Sequence, residues 1–207
     1  SDEAWRALGE AMGPEGTCLR RIKTLRLWGV IRGPRQLESL CRAMGTGHGC
    51  PELEVIKIST ERGHGGEPWG AALAPAFRPP HGLPRLKELR LEFINLRDLD
   101  QLVEALQHRP HASQPVEVIS LLRCTSGSVS AFGEAMRVGG SLAGLRVLEM
   151  ELLGEEEPEE WPMQLAEALA GGAGQQLEDI EWKSEELSVD VVNRLLQGLA
   201  IRGACPR

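Results

Sequence analysis

One short apolar pattern returns six times along this chain, and that recurrence limits the fold more than any other feature. It reads Ile22-x-x-Leu25-x-Leu27, Leu53-x-x-Ile56-x-Ile58, Leu86-x-x-Leu89-x-Leu91, Val116-x-x-Ile119-x-Leu121, Leu145-x-x-Leu148-x-Met150 and Leu177-x-x-Ile180-x-Trp182. Successive copies are offset by 31, 33, 30, 29 and 32 residues. A steady period in this range describes one supersecondary unit stacked on copies of itself, because a single unit has an apolar face that only its neighbours bury. Within each copy the last two apolar residues alternate with others, the spacing of a strand with one buried face.

A second periodicity fills the intervals. Leu37, Leu40, Cys41 and Met44 share one helical face, as do Trp69, Leu73 and Phe77 behind Pro68, and Leu96, Leu99, Leu102, Val103 and Leu106. Val129, Phe132 and Met136 serve the fourth unit, and Leu165, Ala168 and Leu169 the fifth, with Pro162 near its start. Ser188 is placed to cap a sixth helix with a face of Val191, Val192, Leu195 and Leu199. The last apolar residue of each helix precedes the next strand by eight to ten residues throughout. That constant phase predicts a strand, loop, helix, loop unit.

On these residues the chain resembles the leucine-rich repeat family, and within it the helix-containing, ribonuclease-inhibitor-like subtype. The resemblance spans residues 18 to 200. The family pattern continues past the strand with Asn or Cys; Cys124 fits that place, whereas Val30, Glu61, Ile94, Leu153 and Glu185 depart from it. The resemblance implies an α/β solenoid, a horseshoe or arc with parallel strands on the concave face and helices on the convex face. Residues 1–207 then form a single domain of about six units. A helix in residues 1–13, carrying Trp5, Leu8 and Met12, is expected to belong to a preceding, truncated unit, which makes the chain a segment of a longer one.

A doubly wound nucleotide-binding sheet also alternates strand and helix, but its fingerprint is a glycine-rich turn after a strand that opens a helix. Gly45-Thr46-Gly47-His48-Gly49 follows a helix and precedes a strand, so it reads as a helix-ending turn. Five cysteines, at 18, 41, 50, 124 and 205, have no paired spacing, and no run of apolar residues is long enough for a membrane span or a signal peptide. An intracellular, cytoplasmic location is the expectation, with Cys41 and Cys124 as inert core residues. His108-x-x-His111, His48, His64 and His81 fall in loops without metal-ligand discipline, and nothing groups a nucleophile with a base. No catalytic residue, metal or cofactor is expected. The connections from Ser59 to Glu67 and from Arg78 to Pro84 are the expected irregular loops.

Function therefore rests on the strand face that the helices leave open. With Leu25 and Leu27 turned inward, Thr24, Arg26 and Trp28 turn outward, followed down the stack by Val55, Lys57, Ser59; Glu88, Arg90, Glu92; Val118, Ser120, Leu122; Val147, Glu149, Glu151; and Asp179, Glu181, Lys183. The candidate partner-binding residues are Arg26, Trp28, Lys57, Glu88, Arg90, Glu92, Leu122, Glu149, Glu151, Asp179 and Glu181. Trp28 is either an exposed anchor or a residue packed beneath a neighbouring loop or a missing preceding repeat. Val55, Val118, Leu122 and Val147 add apolar area towards the middle.

Charge divides along the chain. Residues 1–100 hold fifteen Lys or Arg against thirteen Asp or Glu, and residues 101–207 hold eight against seventeen, including the run Glu155, Glu156, Glu157, Glu159 and Glu160. Such a field attracts a partner that is basic towards the carboxy-terminal half and repels nucleic acid. The expectation is a non-enzymatic protein-protein interaction scaffold within a larger receptor or adaptor, acting on neither nucleic acid nor membrane. The alternatives are a regulator of a partner enzyme, such as a GTPase activator or an inhibitor, and a structural or self-associating segment.

Overall fold

The computed structural model describes residues 2–12, 19–46, 50–60, 68–78, 82–109, 113–126, 130–137, 140–153, 160–183 and 189–200. Strands and helices alternate: α1 (Asp2–Met12), β1 (Thr24–Trp28), α2 (Pro34–Gly45), β2 (Val55–Ser59), α3 (Gly70–Leu73), β3 (Glu88–Glu92), β4 (Asn95–Leu96), α4 (Leu99–Gln107), β5 (Val118–Ser126), α5 (Ser130–Ala135), β6 (Val147–Leu153), α6 (Glu160–Ala170), β7 (Asp179–Trp182) and α7 (Val189–Ala200). All pairings are parallel, and the sheet runs in chain order, β1-β2-β3-β5-β6-β7, with the two-residue β4 alongside β5. The protein is thus an α/β molecule with a seven-stranded parallel sheet.

Every strand pair keeps the same frame across two inward rows, and the β5–β6 pair shifts register only beyond Leu122. Leu25, Ile56, Leu89, Ile119, Leu148 and Ile180 line up across the sheet, as do Leu27, Ile58, Leu91, Leu121, Met150 and Trp182. The central members of these two rows are buried in one continuous core with Leu37, Leu40, Leu73, Leu102, Phe132 and Leu165 from the helices. A one-residue slip of any strand would turn its whole set to solvent, so burial itself fixes the register. Neighbouring helices in the chain also pack on each other, from α1 on α2 through to α6 on α7.

The position just before each strand alternates in sign down the stack: Lys23, Glu54, Lys87, Glu117, Arg146, Glu178. Lys23 pairs with Glu54 at 3.3 Å, Lys87 with Glu54 at 3.8 Å, and Arg146 with Glu117 at 4.0 Å and Glu178 at 2.6 Å. Each exposed pair is worth little alone, but the alternation favours every correct neighbour and puts like charges together in a stack shifted by one unit.

The helical segments depart from the expected faces in instructive places. The second unit has only the four residues of α3, followed by a 3₁₀ turn at Ala74–Ala76. Pro75 offers no amide hydrogen and crowds the preceding turn, which prevents a longer α-helix through Phe77. Trp69 and Phe77 are nonetheless fully buried. Leu96 lies in β4 rather than on α4, which begins at Leu99. On α7, Val192 is 38% exposed, and Val189 and Leu196 are more so, instead of a closed apolar face through Val192. Ser188 and Val129 lie outside the described residues, and so do the side chains of Val191, Leu195 and Leu199.

Contacts between units are specific as well as apolar. The Asp98 carboxylate accepts hydrogen bonds from the Gly70 and Ala71 amides at 2.8 and 2.7 Å, so the third unit caps the helix of the second. Gly70 has to be glycine there, because a Cβ would lie 2.3 Å from the Asp98 carbonyl oxygen. Arg109 donates to the carbonyls of Leu83, Gln114 and Leu86 at 2.8, 3.0 and 3.4 Å and pins the chain entering β3 to the chain entering β5. Burial pushes that guanidinium down to about 10, still charged at neutral pH.

Candidate functional site

The face of the sheet opposite the core carries three rows of side chains in register. The first is Thr24, Val55, Glu88, Val118, Val147 and Asp179; the second is Arg26, Lys57, Arg90, Ser120, Glu149 and Glu181. The third is Trp28, Ser59, Glu92, Leu122 and Glu151. All eleven candidate residues from the sequence therefore share one surface, spaced by the strand separation of about 4.8 Å. Parallel sheets are ordinarily covered on both faces. Here the outward residues are half-buried or exposed apart from Ser120.

The charges on this surface are largely committed to one another. Glu88 Oε1 accepts from Lys57 Nζ at 2.8 Å and from Arg90 Nε at 2.5 Å, and Arg90 Nη1 reaches Glu149 Oε2 at 3.3 Å. Burial would push the Glu88 carboxyl up, but the hydrogen bonds from Lys57 and Arg90 outweigh it and hold it below the usual carboxylate range. Glu151 pairs with Arg123 at 3.2 Å, and Glu181 with Lys183 at 3.1 Å. Two cations and two carboxylates thus form a neutral chain across four strands. Among the described residues Arg26, Glu92 and Asp179 make no ion pair, and they are the uncompensated charges of the face.

Ser120 sits between Arg90 and Glu149 in the second row and is fully covered; its hydroxyl has no hydrogen-bond partner among the described residues. Beside it opens a groove of about 210 Å³, lined in part by Trp28, Lys57, Ser59, Arg90, Glu92, Ser120 and Leu122. Trp28 forms one wall and is 67% exposed, so it is not packed under a neighbouring loop.

Just past the third outward row the backbone turns sharply, at the end of β1 and β3 and at a register shift inside β5 between Leu122 and Cys124. Gly29, Phe93 and Arg123 occupy the same place in three units, directly after Trp28, Glu92 and Leu122, and all have positive φ, at 62°, 57° and 53°. For the two non-glycine residues that conformation costs about 1–3 kcal/mol each. They also meet: the Arg123 guanidinium lies 5.2 Å from the Phe93 ring centroid, a cation–π contact. Sequence reading missed this pair, because only Gly29 carries the residue type that announces a left-handed position.

Other expectations fall elsewhere. Cys41 and Cys124 are in the core, joined by Cys50. His108 Nδ1 lies 2.7 Å from the Glu104 carbonyl at the end of α4. His48, His64, His81, His111, Cys18, Cys205, the side chains of the Glu155 to Glu160 run and most of the two long connections lie outside the described residues. No helix among the described residues is long and apolar enough to cross a membrane. No protein-family model matches the chain, and no curated protein does.

Proposed function

We propose that this chain is a leucine-rich-repeat solenoid whose uncovered sheet face docks a protein partner, as a non-enzymatic module of a larger intracellular receptor, adaptor or scaffold. The observation that carries this reading is the outward surface itself: six parallel strands, in common register across the three outward rows, present a largely exposed tryptophan, a groove and a pre-paired charge network. Side chains already held by ion pairs and strand spacing lose little conformational freedom on docking, which favours affinity. The strand order, sequential from β1 to β7, supports the solenoid reading, since stacked repeats place each unit only against its neighbours.

Uncompensated charge sets the polarity of the partner. Arg26 stands at one end of the face and Asp179 at the other, so the partner is basic where it meets the last units. Affinity capture with the wild type, Trp28→Ala, Glu149→Lys and a helix-layer variant, Arg42→Glu, tests the reading. Loss of a captured protein with the first two variants and retention with Arg42→Glu is the expected outcome. Retention with both face variants and loss with Arg42→Glu would move the interface to the helices.

A further inference from the structure

We propose that the groove between Trp28 and Leu122 receives a single long basic side chain, arginine or lysine, from a peptide segment of the partner. This deepens the docking reading and rests on it.

Size selects the class of guest. A space of about 210 Å³ is smaller than the roughly 300–1,000 Å³ of pockets for small molecules and suits one extended side chain. The walls suit the stem of such a chain: Trp28 offers an exposed ring and Leu122 an apolar flank.

Charge selects its sign. Three ionised groups line the groove, Lys57, Arg90 and Glu92. The two cations are held by Glu88 and Glu149, whereas Glu92 has no ion pair among the described residues. An acidic guest would compete with two carboxylates already in place; a basic guest meets one that is uncommitted. Trp28 and Glu92 belong to the same row, two strands apart, so a guanidinium or ammonium lying along that row meets both the indole face and the carboxylate.

A third observation points into the same space. Ser120 is among the residues lining the groove, and its hydroxyl is covered and without a hydrogen-bond partner among the described residues; an N–H of a guest that parts the Arg90–Glu149 pair above it would satisfy its oxygen. The far end is fixed by the left-handed pair Phe93 and Arg123, each following a groove residue directly and stacked on the other. Strain held in place at the rim of a concavity is what a preorganised receptor requires.

Titration of the full chain with capped Gly-Gly-X-Gly-Gly peptides, X being Arg, Lys, Gln or Glu, tests the assignment. The readout is the indole N–H resonance of Trp28, identified by its absence in Trp28→Phe. The Arg and Lys peptides are expected to shift it and the Gln and Glu peptides to leave it in place. Glu92→Gln, which keeps the side-chain shape, is expected to weaken the Arg peptide at least fivefold, and Ser120→Ala to weaken it while preserving the preference for basic residues. A larger response to the Glu peptide, no response to any peptide, or an Arg preference that survives Glu92→Gln would overturn the proposal. A captured protein whose binding survives Glu92→Gln but not Trp28→Ala and Glu149→Lys would remove the groove assignment and leave the docking face standing. One indifferent to all three would remove both.

Discussion

Arg90 and Glu149 meet at 3.3 Å across the strand that separates them, closing an ion pair over Ser120. The contact joins the basic amino-terminal half of the face to the acidic carboxy-terminal half, so charges near the middle of the sheet offset one another. What remains uncompensated is local, at Arg26, Glu92 and Asp179.

The strength of this contact is measurable by a double-mutant cycle. With the partners 39% and 19% exposed, solvent screens the pair, and a coupling of roughly 0.5–1 kcal/mol is expected for Arg90→Ala and Glu149→Ala, shrinking in high salt. Urea midpoints of the four proteins give the value. Strict additivity would mean that the pair merely spans the serine without holding anything together.

Glu88 gives the face a pH dependence. Its folded value is depressed, so the stability it contributes is present above the unfolded value of about 4.3 and is lost as pH falls through the lower folded value. Glu88→Gln should therefore be less stable than the wild type at neutral pH, with the gap closing as the medium is acidified below the unfolded value. Chemical denaturation of both proteins at a series of pH values checks this, and a gap that stays constant into strong acid would show that Lys57 and Arg90 gain nothing from the carboxylate charge.

The register of the strands and the rows of the face were legible in the sequence because both follow from a period of two tied to burial. Leu25 and Leu27 turned to the core send Arg26 and Trp28 the other way with no further information. The pairing of those outward charges was not legible, since side chains two strands apart are some sixty residues apart in the chain, as Arg90 and Glu149 are. The alternating ladder from Lys23 to Glu178 recurs at the same spacing as the aliphatic triplets, but its pairing depends on which strands are neighbours, and an apolar period alone does not state that. The short α3 escaped for a different reason: Trp69, Leu73 and Phe77 have helical spacing, yet Pro75 lies between them and decides the backbone.

Asp98 should hold the second unit's helix from the third. Asp98→Ala removes both amide partners from a helix of four residues and is expected to cost about 1–2 kcal/mol, with faster hydrogen exchange at Gly70 and Ala71. Gly70→Ala, ordinarily favourable in a helix, should instead destabilise by about 1–3 kcal/mol, since its Cβ would press on the Asp98 carbonyl. If Gly70→Ala proves stabilising, the two units are not in the contact described.

The buried thiols report whether the stack opens unit by unit or all at once. Burial pushes Cys50 up to about 11 and Cys124 up to about 12, the latter helped by the Glu92 and Glu151 carboxylates, and drives Cys41 higher still. At pH 8 the thiolate that an alkylating reagent needs is therefore scarce, and all three side chains are shut away from solvent. Modification has to wait for opening. Iodoacetamide labelling followed by peptide mapping at increasing urea is expected to leave the three sites unmodified below the transition. Since the helices of successive units pack mainly on one another, Cys41 and Cys50, which flank the connection into the second strand, should become reactive together, with Cys124 following at higher urea if the middle of the sheet is the more stable part. Simultaneous reaction of all three would mark a single cooperative unit, and prompt labelling of Cys124 in the absence of urea would contradict its place between Leu91 and Leu122.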